Sequence, residues 1–423
     1  MADKITRIKG FADLFSPESD AFTFLENTAR EVFGAHGYTE LRLPVLERTE
    51  LFARSIGDET DVVQKEMYTF TDRGERSLTL RPEATAGVMR AYIEGARHTL
   101  EPVSKYFTYG PMFRYERPQK GRMRQFHQIN CECLGAEEPH ADAEVIIMLM
   151  QFLTRLGLKD LSVSLNSLGC KECRPAYHAA LRAFLERLDA EQLCGDCQRR
   201  MVNNPLRVLD CKVPGCQALL DGAPQVIDYN CEACRAHIGV VERLLTASGV
   251  NYALNPRLVR GLDYYNRTTF EVLSGNIGAQ SAVTGGGRYD GLVRDLGGPD
   301  VPGVGFACGM ERLAMLLPAR ETSRPDFYLA PLAAEALDQA LTLAETLRAA
   351  GLSGQVAFAA KSLKSQMRQA GKLNARKCVM IGQDELAAQA ALIKDMDSGE
   401  QETVPLAELI TALRRRLPAG QKD

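Results

Sequence analysis

Eight of the chain's twelve cysteines crowd into residues 170–234 as four close pairs: Cys170/Cys173, Cys194/Cys197, Cys211/Cys216 and Cys231/Cys234. Two or four intervening residues let two thiolates reach one ion from a tight turn, and Gly169, Gly195 and Gly215 stand beside three of the pairs. Four pairs can close two four-thiolate sites in three alternative combinations, among which the sequence does not choose. The same spacing in a short secreted chain would be a disulfide scaffold. Here the chain has 423 residues, and its start, MADKITRIKG, lacks the apolar core of a signal peptide, so a reducing, cytoplasmic location is expected. Structural zinc is the expectation for this segment, with plain burial as the alternative, since the stretch NPLRVLDC ending at Cys211 looks structural without metal. Cys131, Cys133, Cys308 and Cys378 read as ordinary small hydrophobes.

The pattern on either side is α+β. Ser16 and Pro17 open a helix with Phe22, Leu25, Ala29, Val32 and Phe33 on one face, and Gly34 and Gly37 end it. A strand at 38–43 closes at Pro44, and another at 77–80 runs through Arg81-Pro82-Glu83 into a helical stretch ending near 93. Strands at 105–114 and 124–134 flank a loop with Pro118 and Gly121, the signal of an antiparallel hairpin. A helix near 142–156 and a strand at 162–166 lead into the cysteine module. Strands at 257–265, 268–273 and 280–284 follow it, then a glycine corner at 285–287 with a short helix from Tyr289, and a strand and helix within 301–317. Beyond a linker at 322–325, strand 327–331, helix 333–349, strand 355–359, helix 362–373 and strand 378–381 alternate as in a small, largely parallel α/β domain. The expected divisions are 1–166 and 241–321 for one interrupted domain, 167–240 for the insert, and 326–423 for the α/β domain.

Lys plus Arg total 51 against 54 Asp plus Glu, a net charge of −3, which excludes a uniformly basic coat protein but not local patches. No apolar run approaches the roughly 18 residues of a membrane span. One basic patch is RYERPQKGRMR at 114–124, where Arg114, Arg117, Lys120, Arg122 and Arg124 face only Glu116. A solvated turn is the plain reading of such a run. Arg114 and Glu116, however, share one strand face, and Phe113, Tyr115 and Phe126 flank them, a pairing that suits a phosphate and a stacked base. The second patch, 361–377, carries six cations and no carboxylate, with Lys361, Lys364 and Arg368 spaced for one helical face. Phosphate contact is the sharper reading there. The glycine runs at 285–287 and 303–309 fit neither a Walker loop nor a dinucleotide fingerprint.

In order along the chain, a strand ending at Pro44, Arg81-Pro82-Glu83, FRYE at 113–116, the glycine-rich 285–292 and GFACGMERL at 305–313 resemble the three-motif catalytic domain of class II aminoacyl-tRNA synthetases. Within that class, LVRGLDYYNRTTFE at 258–271 and GGRYDGL at 286–292 resemble the signature peptides of the histidyl-tRNA synthetase family, as do LRPEATAG at 80–87 and RPQKGRMRQFHQ at 117–128. The resemblance spans essentially the whole chain. It implies an α+β fold with a class II antiparallel-sheet catalytic domain, a Cys-rich insertion and a C-terminal α/β anticodon-binding domain.

The implied activity is ATP-dependent attachment of L-histidine to tRNA(His) through a histidyl-adenylate, with Mg²⁺ as cofactor and, from the first class motif, a homodimer. By resemblance Arg114, Arg260 and Arg312 are catalytic. Arg114 holds the α-phosphate and carboxylate, and Arg312 lies along adenine. Arg260 stands opposite the α-phosphate, where related enzymes use a metal ion. Phe126 stacks on adenine and Glu116 contacts the nucleotide. Glu83, Thr85 and Gln128 take the α-ammonium, while Glu132, Tyr264 and Tyr265 take the imidazole. Gly285–Gly287 would form the floor under the ligand. Arg117, Lys120, Arg122, Arg124, Lys361, Lys364 and Arg368 are the candidates for tRNA. Two departures from the family pattern are Ala84, in place of a usual glycine, and Asn266-Arg267, in place of a smaller pair. The rival readings are a non-catalytic synthetase-like regulatory subunit of histidine biosynthesis and a zinc-ribbon nucleic-acid-binding protein. The first typically loses arginines and the C-terminal domain, and the second leaves the arginine and tyrosine constellation unexplained.

Overall fold

The long hairpin around residue 120 is the spine of an eight-stranded sheet. In the computed structural model, which describes residues 4–57, 60, 62–119, 121–259, 264–275, 282–319 and 324–415, Ser104–Phe113 and Gln125–Leu134 pair antiparallel from Ser104↔Leu134 to Phe113↔Gln125. Lys120, Arg260 and residues 322–323 lie outside the described residues. The sheet order is Thr39–Glu40, Ser104–Phe113, Gln125–Leu134, Gly303–Gly309, Ala282–Arg288, Asn266–Ser274, Leu161–Ser167, Tyr252–Leu254. Only the two short edge strands run parallel to their neighbours, so the sheet is mixed at its margins and antiparallel through its centre. The chain divides into two compact units, 1–320 and 321–423.

Period-two alternation separates the two faces of the sheet. Ile129, Cys131 and Cys133 enter one core with Phe33, Leu149 and Val241, contributed by the helices Glu18–Ala35, Pro139–Arg155 and Glu232–Ala247. The opposite face meets a second apolar cluster, in which Cys197, Val208, Cys211 and Cys216 of the insert pack with Tyr106, Leu134, Tyr265 and Tyr289. Under the first core, Arg288 and Asp142 form a fully buried ion pair, and His237 approaches the same carboxylate at 3.3 Å. Asp142 is held below the usual carboxylate range: burial opposes this, but the His237 bond and the Arg288 charge overcome it.

Several expectations require correction, and the strands expected at 38–43 and 355–359 shrink to Thr39–Glu40 and Gly354–Val356. Residues 257–259, 264 and 265 are not strand; the strand is Tyr252–Leu254. Asn255-Pro256 begins a turn in which the Leu258 amide donates to the Asn255 carbonyl at 2.9 Å, and the Asn166 side chain donates to the Pro256 and Leu258 carbonyls. Gly285, Gly286 and Gly287 are not a corner but the middle of the strand Ala282–Arg288. Glycine is needed there for room: a Cβ on Gly286 would strike the Gly305 carbonyl, and one on Gly287 would lie 2.6 Å from the Thr268 carbonyl oxygen.

In the second unit Gly354–Val356, Phe327–Pro331 and Lys377–Ile381 pair in parallel, and Ala390–Asp395 and Gln401–Pro405 extend the sheet antiparallel. Phe327, Leu329, Val379 and Ile381 face the helices Leu337–Ala349 and Leu409–Arg415, while Tyr328, Ala330, Cys378 and Met380 face Ala370 of Leu363–Lys372. Both faces are therefore covered. No helix among the described residues is long and apolar enough to cross a membrane.

Candidate active site

Gln128, Asn130 and Glu132 sit on the strand face opposite Ile129, Cys131 and Cys133, and they line a cleft of about 460 Å³. Gly305 pairs with Glu132 across the ladder, and a Cβ there would run into the Glu132 carboxylate. That absent side chain is what lets a carboxylate sit in the sheet's floor. Thr85 Oγ1 donates to Glu132 Oε1 at 2.7 Å, and the Tyr289 hydroxyl donates to Oε2. Burial pushes the Glu132 carboxyl up to about 8, although both hydrogen bonds pull it down.

Aromatic rings wall this end. Tyr264 lies 4.6 Å from Tyr265 and 5.6 Å from Tyr289, centroid to centroid. Burial holds the Tyr264 and Tyr289 phenols well above their ordinary range, so both remain protonated donors. Glu83 also lines the cleft, where its carboxylate receives the Thr85 amide at 2.6 Å and the Ala86 amide at 2.9 Å, at the start of the helix Thr85–Glu94. Burial raises Glu83 despite those bonds. Ala84 is itself buried, so its methyl group sits in the protein interior. Gln128 Oε1 is buried with no hydrogen-bond partner, and so are both amide atoms of Asn130. A buried, unpartnered amide is rare and marks a place where a ligand or water completes the bonding.

The other end is cationic. Arg114 donates from Nε to the Pro82 carbonyl at 2.9 Å, and its guanidinium lies 5.4 Å from the Phe126 centroid. Arg312 donates from Nη1 to the Ala282 carbonyl at 2.6 Å. Burial and then the Arg122 charge lower its pKa, so a bound anion would relieve both guanidinium groups. Arg122 pairs with Glu116 at 3.5 Å, and both line the cleft. Arg117 is exposed. Arg124 stacks 3.8 Å over Tyr115 and donates from Nε to the Glu116 carbonyl at 3.3 Å, which braces the loop. Glu311 receives the His127 amide at 2.9 Å and bonds its ring Nδ1 at the same distance, linking the helix Met310–Leu316 to the floor strand.

The cysteines resolve into two groups, Cys170/Cys173/Cys231/Cys234 and Cys194/Cys197/Cys211/Cys216. Either group has the thiols to hold a metal ion. Cys131, Cys133, Cys308 and Cys378 are buried in the cores.

In the second unit Lys361, Lys364 and Arg368 are all exposed, and none has a carboxylate partner among the described residues. Lys361 precedes the helix Leu363–Lys372 rather than riding on it, because the chain extends through Ser362 at the helix start. Lys377, in the same basic run, is buried and paired with Asp395. Phe358, 90% exposed, stands three residues before Lys361 and had no sequence signal beyond its own apolar character. Asn130 could have been foreseen, since it alternates with Gln128 and Glu132 on one strand face. Arg207, which enters the cleft from the insert, had no local signal at all.

A family model described as histidyl-tRNA synthetase matches residues 10–313, and one described as anticodon binding domain matches 326–416. The curated histidine–tRNA ligase of Oleidesulfovibrio alaskensis is 67% identical over 405 residues, which is 95% of this chain and 97% of that protein. That of Solidesulfovibrio magneticus is 62% identical over 421 residues, 100% of both. Among solved structures, apo histidyl-tRNA synthetase from S. aureus matches with a TM-score of 0.80 at 35% identity, covering 97% of this chain and 100% of that one.

Proposed function

The chain belongs to the histidyl-tRNA synthetase family, and from that membership we propose how its cleft divides the work. The protein attaches L-histidine to its cognate tRNA with ATP, through a histidyl-adenylate. The regulatory-subunit alternative is not favoured, because the relatives matched along the whole chain are ligases. The observation that carries the proposed roles is one cleft with a carboxylate–phenol pocket at one end and guanidinium groups at the other.

Histidine enters with its ring toward Glu132, Tyr264 and Tyr265, where the carboxylate and phenols offer a partner for each ring nitrogen. Its ammonium meets the free acceptor of Gln128, with Glu83 and Thr85 beside it. We add Asn130 to this pocket, since both of its amide atoms await partners. Arg114 holds the histidine carboxylate against the α-phosphate, so that a carboxylate oxygen attacks phosphorus as pyrophosphate leaves. Fixed guanidinium groups stabilise the charge that gathers on phosphorus. Arg312 and Phe126 sandwich adenine, and Glu116 contacts the nucleotide. Arg122, facing the cleft, joins the phosphate side as well as its proposed tRNA role. Arg260 is assigned the α-phosphate, where related enzymes use a metal ion.

Class II synthetases use ATP and Mg²⁺. Glu116 and Glu271 on the cleft wall are oxygen donors that fit this hard cation, which when bound offsets phosphate charge. The tRNA would be gripped by Arg117, Lys120, Arg122 and Arg124 on the hairpin loop and by Lys361, Lys364 and Arg368 on the second unit. Phe358 offers a ring for base stacking beside the second patch. A homodimer is proposed with Ile8, Phe15, Leu46 and Phe70, exposed apolar groups, at or near its interface. A cytoplasmic location fits twelve free cysteines. We assign the two thiol groups to structural zinc, apart from the reacting cleft.

Arg114→Ala tests the assignment. ATP–pyrophosphate exchange should fall by about 10²–10³-fold, as for the loss of one oxyanion donor. Histidine binding measured by calorimetry should change far less, and exchange that stays near wild type would contradict the role.

A further inference from the structure

The insert's sulfur geometry is specific. Cys170 Sγ lies 3.7 Å from Cys173 Sγ and 3.8 Å from Cys231 Sγ, and Cys173 Sγ lies 3.8 Å from Cys234 Sγ. In the other group Cys194 Sγ and Cys211 Sγ are 3.8 Å apart. A disulfide would bring sulfurs to about 2.05 Å. A tetrahedron with zinc–sulfur bonds of about 2.3 Å has edges of about 3.8 Å. Within each group all four sulfurs lie within 4.8 Å of one another. Backbone amides point at the sulfurs too: Cys170 N–H donates to Cys173 Sγ at 3.1 Å, Cys194 N–H to Cys216 Sγ at 3.2 Å, and Val213 N–H to Cys211 Sγ at 3.4 Å.

The two groups occupy different places. The first joins the chain just after the strand Leu161–Ser167 to the start of the helix Glu232–Ala247, so it fastens the two ends of the insert together. The second lies inside the insert and brackets the turn Pro205–Val208 between Cys197 and Cys211. Val208 is fully buried in the apolar cluster that also holds Cys197, Cys211 and Cys216 together with Tyr265 and Tyr289 of the proposed histidine pocket. One residue earlier, Arg207 lines the cleft, and its Nη1 is buried without a hydrogen-bond partner. A permanently charged group with an unused donor fits an oxyanion.

We propose that the eight cysteines form two separate zinc centres, Cys170/Cys173/Cys231/Cys234 stapling the ends of the insert and Cys194/Cys197/Cys211/Cys216 bracing the turn that carries Arg207 into the cleft to hold a phosphate oxygen. The inference rests on the zinc reading above and adds the pairing and the purpose of each centre. Each centre forms when four thiols release their protons to solvent and four thiolates bind one Zn²⁺. Metal in the second centre then acts on the reaction only through the position of Arg207.

The test uses full-length protein purified without chelator, with zinc measured by mass spectrometry and tetrahedral thiolate ligation checked by the absorption spectrum after cobalt exchange. Two ions per chain are expected, falling to one in Cys231→Ser and to one in Cys211→Ser. Arg207→Ala should keep both ions and raise a KM by about tenfold, the scale of one charged hydrogen bond, with the KM for histidine unchanged. A rise in the ATP KM in pyrophosphate exchange assigns the phosphate to the nucleotide. A rise only in the tRNA KM during charging assigns it to the nucleic acid, and either supports the contact. Cys211→Ser should reproduce that KM change, and Arg207→Lys should recover part of it. Absence of zinc from wild-type protein would sink the zinc reading itself. One ion per chain would overturn the two-centre pairing. Two ions with every KM unchanged in Arg207→Ala would overturn the brace and leave the zinc reading standing.

Discussion

The Thr85 hydroxyl donates to the Glu132 carboxylate at 2.7 Å, joining the first turn of one helix to the floor of the central sheet. With the Tyr289 hydroxyl on its other oxygen, Glu132 is a buried acid held ready for a ring N–H.

That readiness has a pH signature. Burial raises the Glu132 pKa from 4.5 in the unfolded chain to about 8 in the fold. Below pH 4.5 both states hold the proton; from there to about 8 the unfolded chain has released it while the fold retains it. The ligand-free fold therefore loses this share of its stability as pH rises through that window. Glu132→Gln should remove the loss, melting higher than wild type above pH 8, and should weaken histidine binding by at least about tenfold. Thermal melts across pH and calorimetry check both; a variant that binds histidine normally contradicts the pocket assignment.

Asn130 makes a second separation of stability from function. Its amide is buried and unpartnered, so Asn130→Val should leave the ligand-free melting temperature equal or higher. Histidine affinity should drop by about tenfold if the amide bonds the ligand. Lowered stability with unchanged affinity would make Asn130 a structural residue.

Reversing Lys361, Lys364 and Arg368 to Glu should raise the KM for tRNA and flatten its salt dependence, with amino-acid activation intact. Parallel loss of activation would indicate misfolding, and unchanged charging would leave the patch as bare surface.

Much of this was legible locally. The strand at 77–80, the 105–134 hairpin and the parallel core of the second unit were all expected from local pattern, and the structure has them. The glycines at 285–287 were misread because a corner and a crowded strand centre ask for the same residue; only the packed Gly305 carbonyl and Phe306 decide between them. The strand expected at 257–265 is absent at 257–259, 264 and 265, where the Asn255-Pro256 turn redirects the chain. Cysteine pairing and the entry of Arg207 into the cleft depend on contacts across the fold, which spacing does not encode. Lys361 shows the reverse error, a helical spacing assigned to a residue that lies before the helix.

The central claim is that this cleft activates histidine with ATP. Pyrophosphate exchange, run without tRNA and with each of the twenty amino acids in turn, tests it most directly. Exchange should appear with histidine and stay at background with the other nineteen. Exchange driven by proline, threonine or glycine, or by none of the twenty, would contradict the account.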